Sequence, residues 1–137
     1  MDWKECCTEK IAKSIKPDTN LIKSLIESSK NKIESESKLP MSKITASSKL
    51  SLAYDSLREL LEALATKNGY KIYNHECYTA FLKEIIKRSD IGDEFDNIRK
   101  VRNAVNYYGK KISPKESEMI IARIKNLLNT VSKLLEE

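Results

Sequence analysis

Apolar residues recur three and four positions apart through most of this chain, which is the spacing of one helix face. The pattern predicts long helices over about 18–38, 42–67, 75–88, 93–108 and 114–135, separated by only three Gly and three Pro. A thinner stripe formed by Trp3, Cys7, Ile11 and Ile15 predicts a short helix from Asp2 to Lys16. Short connections between long amphipathic helices favour antiparallel neighbours. We therefore expect an all-α fold, an up-and-down antiparallel four-helix bundle with one or two additional short helices.

Capping residues mark the ends of these segments. Asp18 and Ser113 are predicted N-caps, because each side chain can accept hydrogen bonds from the first free amides of a helix. Gly92 predicts a turn between two helices. Further markers of helix ends are Gly69 and Gly109 as C-caps, and Pro114 and Glu116 at the start of the last helix. The 42–67 segment is the longest and is predicted to be the central helix. Residues 70–74 are predicted to form a short connection that could be extended. We expect residues 1–16 to form a short helix packed on a bundle domain of residues 17–137.

Composition narrows the class of protein. A chain of 137 residues with 40% hydrophobic residues is long enough for one domain with a single core. Its 33% charged residues and the lack of a long apolar run exclude a membrane span, and the polar start does not look like a signal peptide. The expectation is a soluble cytoplasmic protein without membrane partners.

The excess positive charge of +5 is concentrated in one segment of the sequence. Between Asn97 and Lys111 the chain carries five basic residues and no acidic one, so the other 20 basic and 20 acidic residues cancel. The five are Arg99, Lys100, Arg102, Lys110 and Lys111. Clustered cations of this kind suggest a partner that bears phosphate or carboxylate groups.

The three cysteines predict no disulfide and no metal site. Cys6 and Cys7 are adjacent and poorly placed to bridge each other, and Cys77 leaves the count odd with no Cys-x-x-Cys spacing. His75 could in principle join them around zinc, but the spacing does not match known zinc sites. We expect reduced thiols that serve as small core residues, with no metal and no cofactor.

The helix predicted over 93–108 carries a polar ridge. Ile98, Val101 and Val105 define its inward direction, and Arg102 falls only about 60° from it, so Arg102 should be half-buried. The ridge consists of Arg99, Arg102, Asn103 and Asn106, with Tyr107 one turn from Asn103. A rigid guanidinium beside amide and phenol groups suits a phosphate or carboxylate ligand. The plainer alternative is a set of surface ion pairs, such as Asp96 with Arg99 and Lys100.

The stretch Ile98–Gly109, IRKVRNAVNYYG, resembles the signature helix of HEPN domains, which carries an Arg, often followed by Asn, and a His a few residues later. Ala53–Glu62 and Gly69–Cys77 resemble corresponding parts of archaeal and bacterial members, so the similarity runs from about Pro17 to the C-terminus. It puts Arg102 in the Arg position and Asn103 in the polar position after it. Tyr107 stands where the family has His.

The resemblance implies a dimeric module that binds nucleotide, RNA or a nucleotidyltransferase partner, in a toxin–antitoxin or defence-type system. Tyr107 and Tyr108 would then be possible acceptors of a nucleotidyl group. The candidate catalytic residues are Arg102, Asn103 and Tyr107, and the candidate nucleotide- or RNA-binding residues are Arg99, Arg102, Asn106, Tyr108, Lys110 and Lys111.

Two alternatives stay open. In catalytic HEPN members the Arg and His, paired across a dimer, are implicated in metal-independent RNA cleavage, so this protein could be an active ribonuclease with Arg102 as the phosphate clamp. Tyrosine, with an ordinary pKa of about 10, is a poor general acid–base near neutrality. His75, the only histidine, lies on another segment and is expected at a helix start or connection. The other alternative is sequence-specific DNA binding, with the ridge helix reading the major groove.

Overall fold

Six α-helices and one two-stranded sheet make up the protein, and the computed structural model describes residues 1–137 with 74% of them helical. The mostly-α prediction is confirmed, and the small sheet is an addition to it. In chain order the elements are α1 (Trp3–Thr8), β1 (Ala12–Ser14), α2 (Thr19–Lys38), α3 (Ala46–Lys67), β2 (Tyr70–Ile72), α4 (His75–Ala80), α5 (Ser89–Tyr107) and α6 (Pro114–Glu136). A π-helical turn, Phe81–Ile85, continues α4.

Helix α3 is the central helix, as predicted. It packs against α2, α5 and α6, and its inward face buries Leu50, Leu57 and Leu61 almost completely. Each such leucine stabilises the fold by about 1.5–3 kcal/mol relative to an exposed side chain. The same face buries Tyr54, a polar-tipped side chain whose partner lies at the candidate site.

The predicted helix ends are largely confirmed. Asp18 accepts a hydrogen bond from the Leu21 amide at 3.1 Å, and Ser113 and Glu116 form a reciprocal capping box at the start of α6. Gly69 ends the α3 segment with a φ of +87°, a conformation that glycine adopts without steric strain.

The N-terminal segment differs from the predicted helix over 2–16. Helix α1 ends after six residues, because Lys10 takes a φ of +61° and the Ile11 amide donates to the Cys6 carbonyl at 2.9 Å. The chain then forms β1, which pairs antiparallel with β2 so that Ala12 lies opposite Ile72. The four-residue periodicity was therefore misleading: β1 is stabilised by a strand that is distant in the sequence.

The cysteine prediction is wrong. Cys6 on α1 and Cys77 on α4 are both fully buried and form a disulfide, with their Cα atoms 6.0 Å apart. Cys7 is exposed and unpaired, so it does not serve as a core residue. Local spacing could not show this pairing, because the fold brings together two residues separated by 71 positions.

Gly92 does not mark a turn but lies inside α5. A Cβ at this position would collide with Cγ of Lys83 and lie 3.3 Å from the Thr79 carbonyl oxygen. The glycine therefore permits close packing of α5 against the end of α4 and the π-helical turn. The chain reverses earlier, at Lys87 with a φ of +63°.

Candidate functional site

Two segments distant in sequence form the walls of one shallow cavity of about 360 Å³. One wall is the C-terminal half of α5, and the other is the short stretch that connects β2 to α4. The lining residues are Tyr73 and Asn74 on the connection, His75 and Glu76 in the first turn of α4, and Arg99, Arg102, Asn103 and Tyr107 on α5. All three predicted catalytic residues thus line a single cavity, together with one of the additional predicted binding residues, Arg99.

Arg102 is held in place by two tyrosines. Its guanidinium carbon lies 4.9 Å from the ring centre of Tyr54 and 5.1 Å from that of Tyr107, and Nη1 donates a hydrogen bond to the Tyr107 hydroxyl at 2.9 Å. Arg102 is half-buried, as predicted, and its Nε is fully buried without a hydrogen-bond partner. A buried N–H that lacks a partner costs about 1–3 kcal/mol, but this atom is enclosed by protein, so a ligand in the cavity would meet the other guanidinium nitrogens.

His75 is connected to Arg102 through Tyr54. The Tyr54 hydroxyl and His75 Nδ1 are 2.8 Å apart, and the two rings lie 5.5 Å from each other. Burial, and then the positive charges of Arg102 and Arg58, lower the pKa of His75 to about 4. His75 is therefore a neutral imidazole at physiological pH.

Arg99 and Lys100 form the ion pairs that the plainer interpretation predicts. Nη2 of Arg99 and Nζ of Lys100 lie 2.8 Å and 3.0 Å from the carboxylate oxygens of Asp96. Burial opposes ionisation of Asp96, but the hydrogen bonds from these two cations outweigh it and hold its pKa below the usual value. Much of the Arg99 charge is thus compensated within α5, whereas Arg102 has no carboxylate partner.

The other predicted ridge residues lie in different surroundings. Asn103 lines the cavity, while Asn106 accepts a long hydrogen bond of 3.4 Å from the Ser51 hydroxyl. Tyr107 and Tyr108 are 66% and 82% exposed, which leaves both phenols accessible.

Lys110 and Lys111 do not join Arg102. They line a separate cavity of about 710 Å³ at the start of α6, beside Lys43 and Ser113. The five basic residues between Asn97 and Lys111 are therefore divided between two places on the surface, because the chain leaves the axis of α5 after Tyr108.

Three residues at the site were missed or undervalued by sequence reasoning: Tyr54, Tyr73 and His75. Tyr54 lies on the apolar face of the helix predicted over 42–67, like an ordinary core residue. His75 was expected at a helix start or connection, and it is the first residue of α4. Tyr73 is 59% exposed beside Arg102, and Nζ of Lys13 and of Lys71 lie 5.6 and 6.0 Å from its ring centre. The signal available was the Gly69–Cys77 stretch, which holds both Tyr73 and His75.

The side chains of the site can bind an anion and stack against a planar group. Arg102 supplies a fixed guanidinium, and the exposed tyrosines supply aromatic faces. No cluster of three His, Cys, Asp or Glu side chains is arranged to hold a metal ion. None of the helices combines the length and hydrophobicity that a membrane crossing requires.

Comparison of the chain with protein-family models, with curated proteins and with solved structures finds no match in any of the three.

Proposed function

We propose that this protein is a HEPN-like helical module that binds the phosphate group of a nucleotide or of single-stranded RNA in the Arg102 cavity. The observation that carries the proposal is the guanidinium of Arg102, which contacts Tyr54 and Tyr107, has no carboxylate partner and lines the cavity. Such a group is already oriented before the ligand arrives, so little side-chain entropy is lost on binding.

The aromatic surroundings favour a nucleotide over a simple anion. Unpaired bases stack on tyrosine rings, each stack contributing about 1–3 kcal/mol, and Tyr73 and Tyr107 both line the cavity. Lys13 and Lys71 lie beside Tyr73 and add positive charge that can attract the next phosphates of a bound RNA strand. Lys71 also pairs with Glu62 at 3.2 Å.

A ribonuclease is the second candidate, and it is favoured by the presence of His75 in the same cavity as Arg102. A base with a pKa of about 4 is poorly matched to proton transfer near neutrality, so we rank binding above cleavage. Base reading in duplex DNA is the least favoured, since Arg102 is half-buried and Arg99 is engaged by Asp96.

The rest of the proposal follows from the HEPN resemblance. It takes α2, α3, α5 and α6 as an up-and-down four-helix bundle that dimerises through α5, within a toxin–antitoxin or defence-type system of the cytoplasm. A nucleotidyltransferase is the proposed protein partner, and the exposure of Tyr107 and Tyr108 is compatible with modification of either phenol.

The deciding experiment measures the affinity for a fluorescein-labelled single-stranded RNA by fluorescence anisotropy at constant ionic strength. Arg102→Ala should weaken binding about ten- to one-hundredfold, the equivalent of a charge-assisted hydrogen bond of about 1.5–3 kcal/mol. Arg102→Lys keeps the charge but loses the planar fork, and should fall between the two.

Lys23→Ala is the matched control, because it removes one exposed positive charge from α2. An equal effect of Lys23→Ala and Arg102→Ala would mean that binding is diffuse electrostatics and would overturn the proposal. Cleavage of the RNA in EDTA that disappears in Arg102→Ala would establish the ribonuclease instead.

A further inference from the structure

We propose that His75 is an additional phosphate-binding residue of the Arg102 cavity, acting as a neutral N–H donor whose tautomer is fixed by Tyr54. This inference rests on the proposed function and specifies how that site recognises its ligand. It gives a role to the only histidine of the chain and to a tyrosine buried beneath the cavity.

The tautomer follows from the hydrogen bonding of Tyr54. This residue is completely buried, and Nδ1 of His75 is the only partner of its hydroxyl. Burial raises the pKa of Tyr54, so the phenol keeps its proton and needs an acceptor. The hydroxyl therefore donates to Nδ1, and the single proton of the neutral imidazole lies on Nε2.

The position of His75 makes that proton useful to a ligand. His75 lines the same cavity as Arg102 and Asn103, and Nδ1 is engaged on the Tyr54 side of the ring. Nε2 is left as the nitrogen that can meet a ligand, and it makes no hydrogen bond within the protein. An anion in the cavity can thus accept from the guanidinium of Arg102 and from a neutral donor on the opposite wall.

The charges around His75 explain why it is a neutral donor rather than a second cation. Arg102 and Arg99 act on it from α5, and Arg58 and Asp55 from α3, while Glu76 is its neighbour in the first turn of α4. The arginines oppose protonation and Asp55 favours it, and burial together with the arginines outweighs Asp55. A bound phosphate would offset only part of this effect, because a negative charge beside the ring favours the imidazolium, and His75 would stay neutral near neutral pH.

The test is a nuclear magnetic resonance titration, which is unambiguous because the chain has one histidine. The probe is dimethyl phosphate, a phosphodiester monoanion whose own charge does not change between neutral and mildly acidic pH. We expect a saturable shift of the His75 Cε1–Hε1 signal, and an upward move of its titration midpoint by about one pH unit, which corresponds to about tenfold tighter binding by the protonated form. Sodium chloride at equal ionic strength should produce neither change.

The variants separate this inference from the proposed function. Long-range ¹H–¹⁵N spectra of the wild type should report the Nε2–H tautomer, and Tyr54→Phe should yield a tautomer mixture while the protein keeps its fold by circular dichroism. His75→Gln should weaken dimethyl phosphate binding several-fold, whereas Lys23→Ala should not.

If the α5 amides respond to the probe and RNA binding still depends on Arg102, but the His75 signal does not move, the role of His75 is overturned and the proposed function stands. If neither dimethyl phosphate nor RNA binding depends on Arg102, both fail.

Discussion

Arg102 owes its fixed orientation to neighbours on two different helices. The contact with the buried ring of Tyr54 on α3 is a cation–π interaction shielded from water, which is worth about 2 kcal/mol at such sites. Against this stands the unpartnered Nε, with a penalty of about 1–3 kcal/mol. Arg102 has no ion pair that a ligand would have to displace, so its charge is available for binding.

The stability of the protein should depend on pH through His75. Its pKa is lowered to about 4 in the folded state, against an ordinary value near 6.5, so between these values the unfolded chain binds more protons. The stabilising contribution is complete above pH of about 6.5 and is lost as the pH falls towards 4. We expect a contribution of about 1–2 kcal/mol after allowance for solvent screening, measured as the free energy of urea unfolding.

His75→Gln provides the comparison for this effect, because the other titrating groups are unchanged in it. The difference in unfolding free energy between wild type and His75→Gln should shrink as the pH is lowered through this range. A difference that stays constant with pH would contradict the lowered pKa.

At the scale of elements, α1 and α4 form a clamp behind the cavity. Trp3 on α1 packs against Tyr70 and Phe81 at ring-centre distances of 5.1 and 5.9 Å, and the Cys6–Cys77 disulfide joins the two helices. Cys77 lies only two residues beyond His75. The clamp therefore fixes the connection that forms one wall of the site.

Reduction of the disulfide should destabilise the protein without unfolding α3 or α6. Cross-linking residues 71 positions apart restricts the unfolded chain, and its loss typically costs about 2–4 kcal/mol. Iodoacetamide treatment of the protein unfolded in guanidinium chloride, followed by mass spectrometry, should find only Cys7 alkylated before reduction, and all three cysteines alkylated after it.

Cys7→Ser is the control for the disulfide prediction, since it removes the exposed thiol alone and should leave the unfolding free energy unchanged. Alkylation of Cys6 and Cys77 in the unreduced protein would show that the two thiols are not bonded to each other. The same alkylation measurement also tests the expected cytoplasmic location, because stable disulfides are rare in a reducing cytoplasm. For this purpose the protein is isolated under acid quench, which preserves the redox state that the cysteines have in the cell.

For the molecule as a whole, the proposed dimer is the property to measure. Analytical ultracentrifugation should give about twice the chain mass of 15.7 kDa. Tyr108→Glu places a charge at the C-terminal cap of α5, beside the proposed interface, and should shift the protein to the monomer, whereas Met119→Glu on α6 should not. Both positions are exposed in the single chain, at 82% and 60%, so neither substitution should disturb the core. A monomeric wild type at high concentration would contradict the dimer.

The fold divides into parts that sequence could and could not predict. The caps at Asp18 and Ser113 and the central position of α3 were predicted correctly, because caps and helix faces depend on residues within a turn or two. Gly92 was wrongly predicted to be in a turn. A glycine is needed at this position because Lys83 packs closely against it, and no local sequence pattern reveals that contact.

The sequence by itself determined the mostly helical character, the half-burial of Arg102 and the alignment of Arg102, Asn103 and Tyr107 on one side of α5. Only the tertiary structure decided the β1–β2 pairing, the Cys6–Cys77 bond and the arrival of His75 and Tyr54 at Arg102. The physical reason is the range of the interactions. Helical periodicity is fixed by neighbours a few residues apart, whereas these contacts form only when packing brings distant segments together.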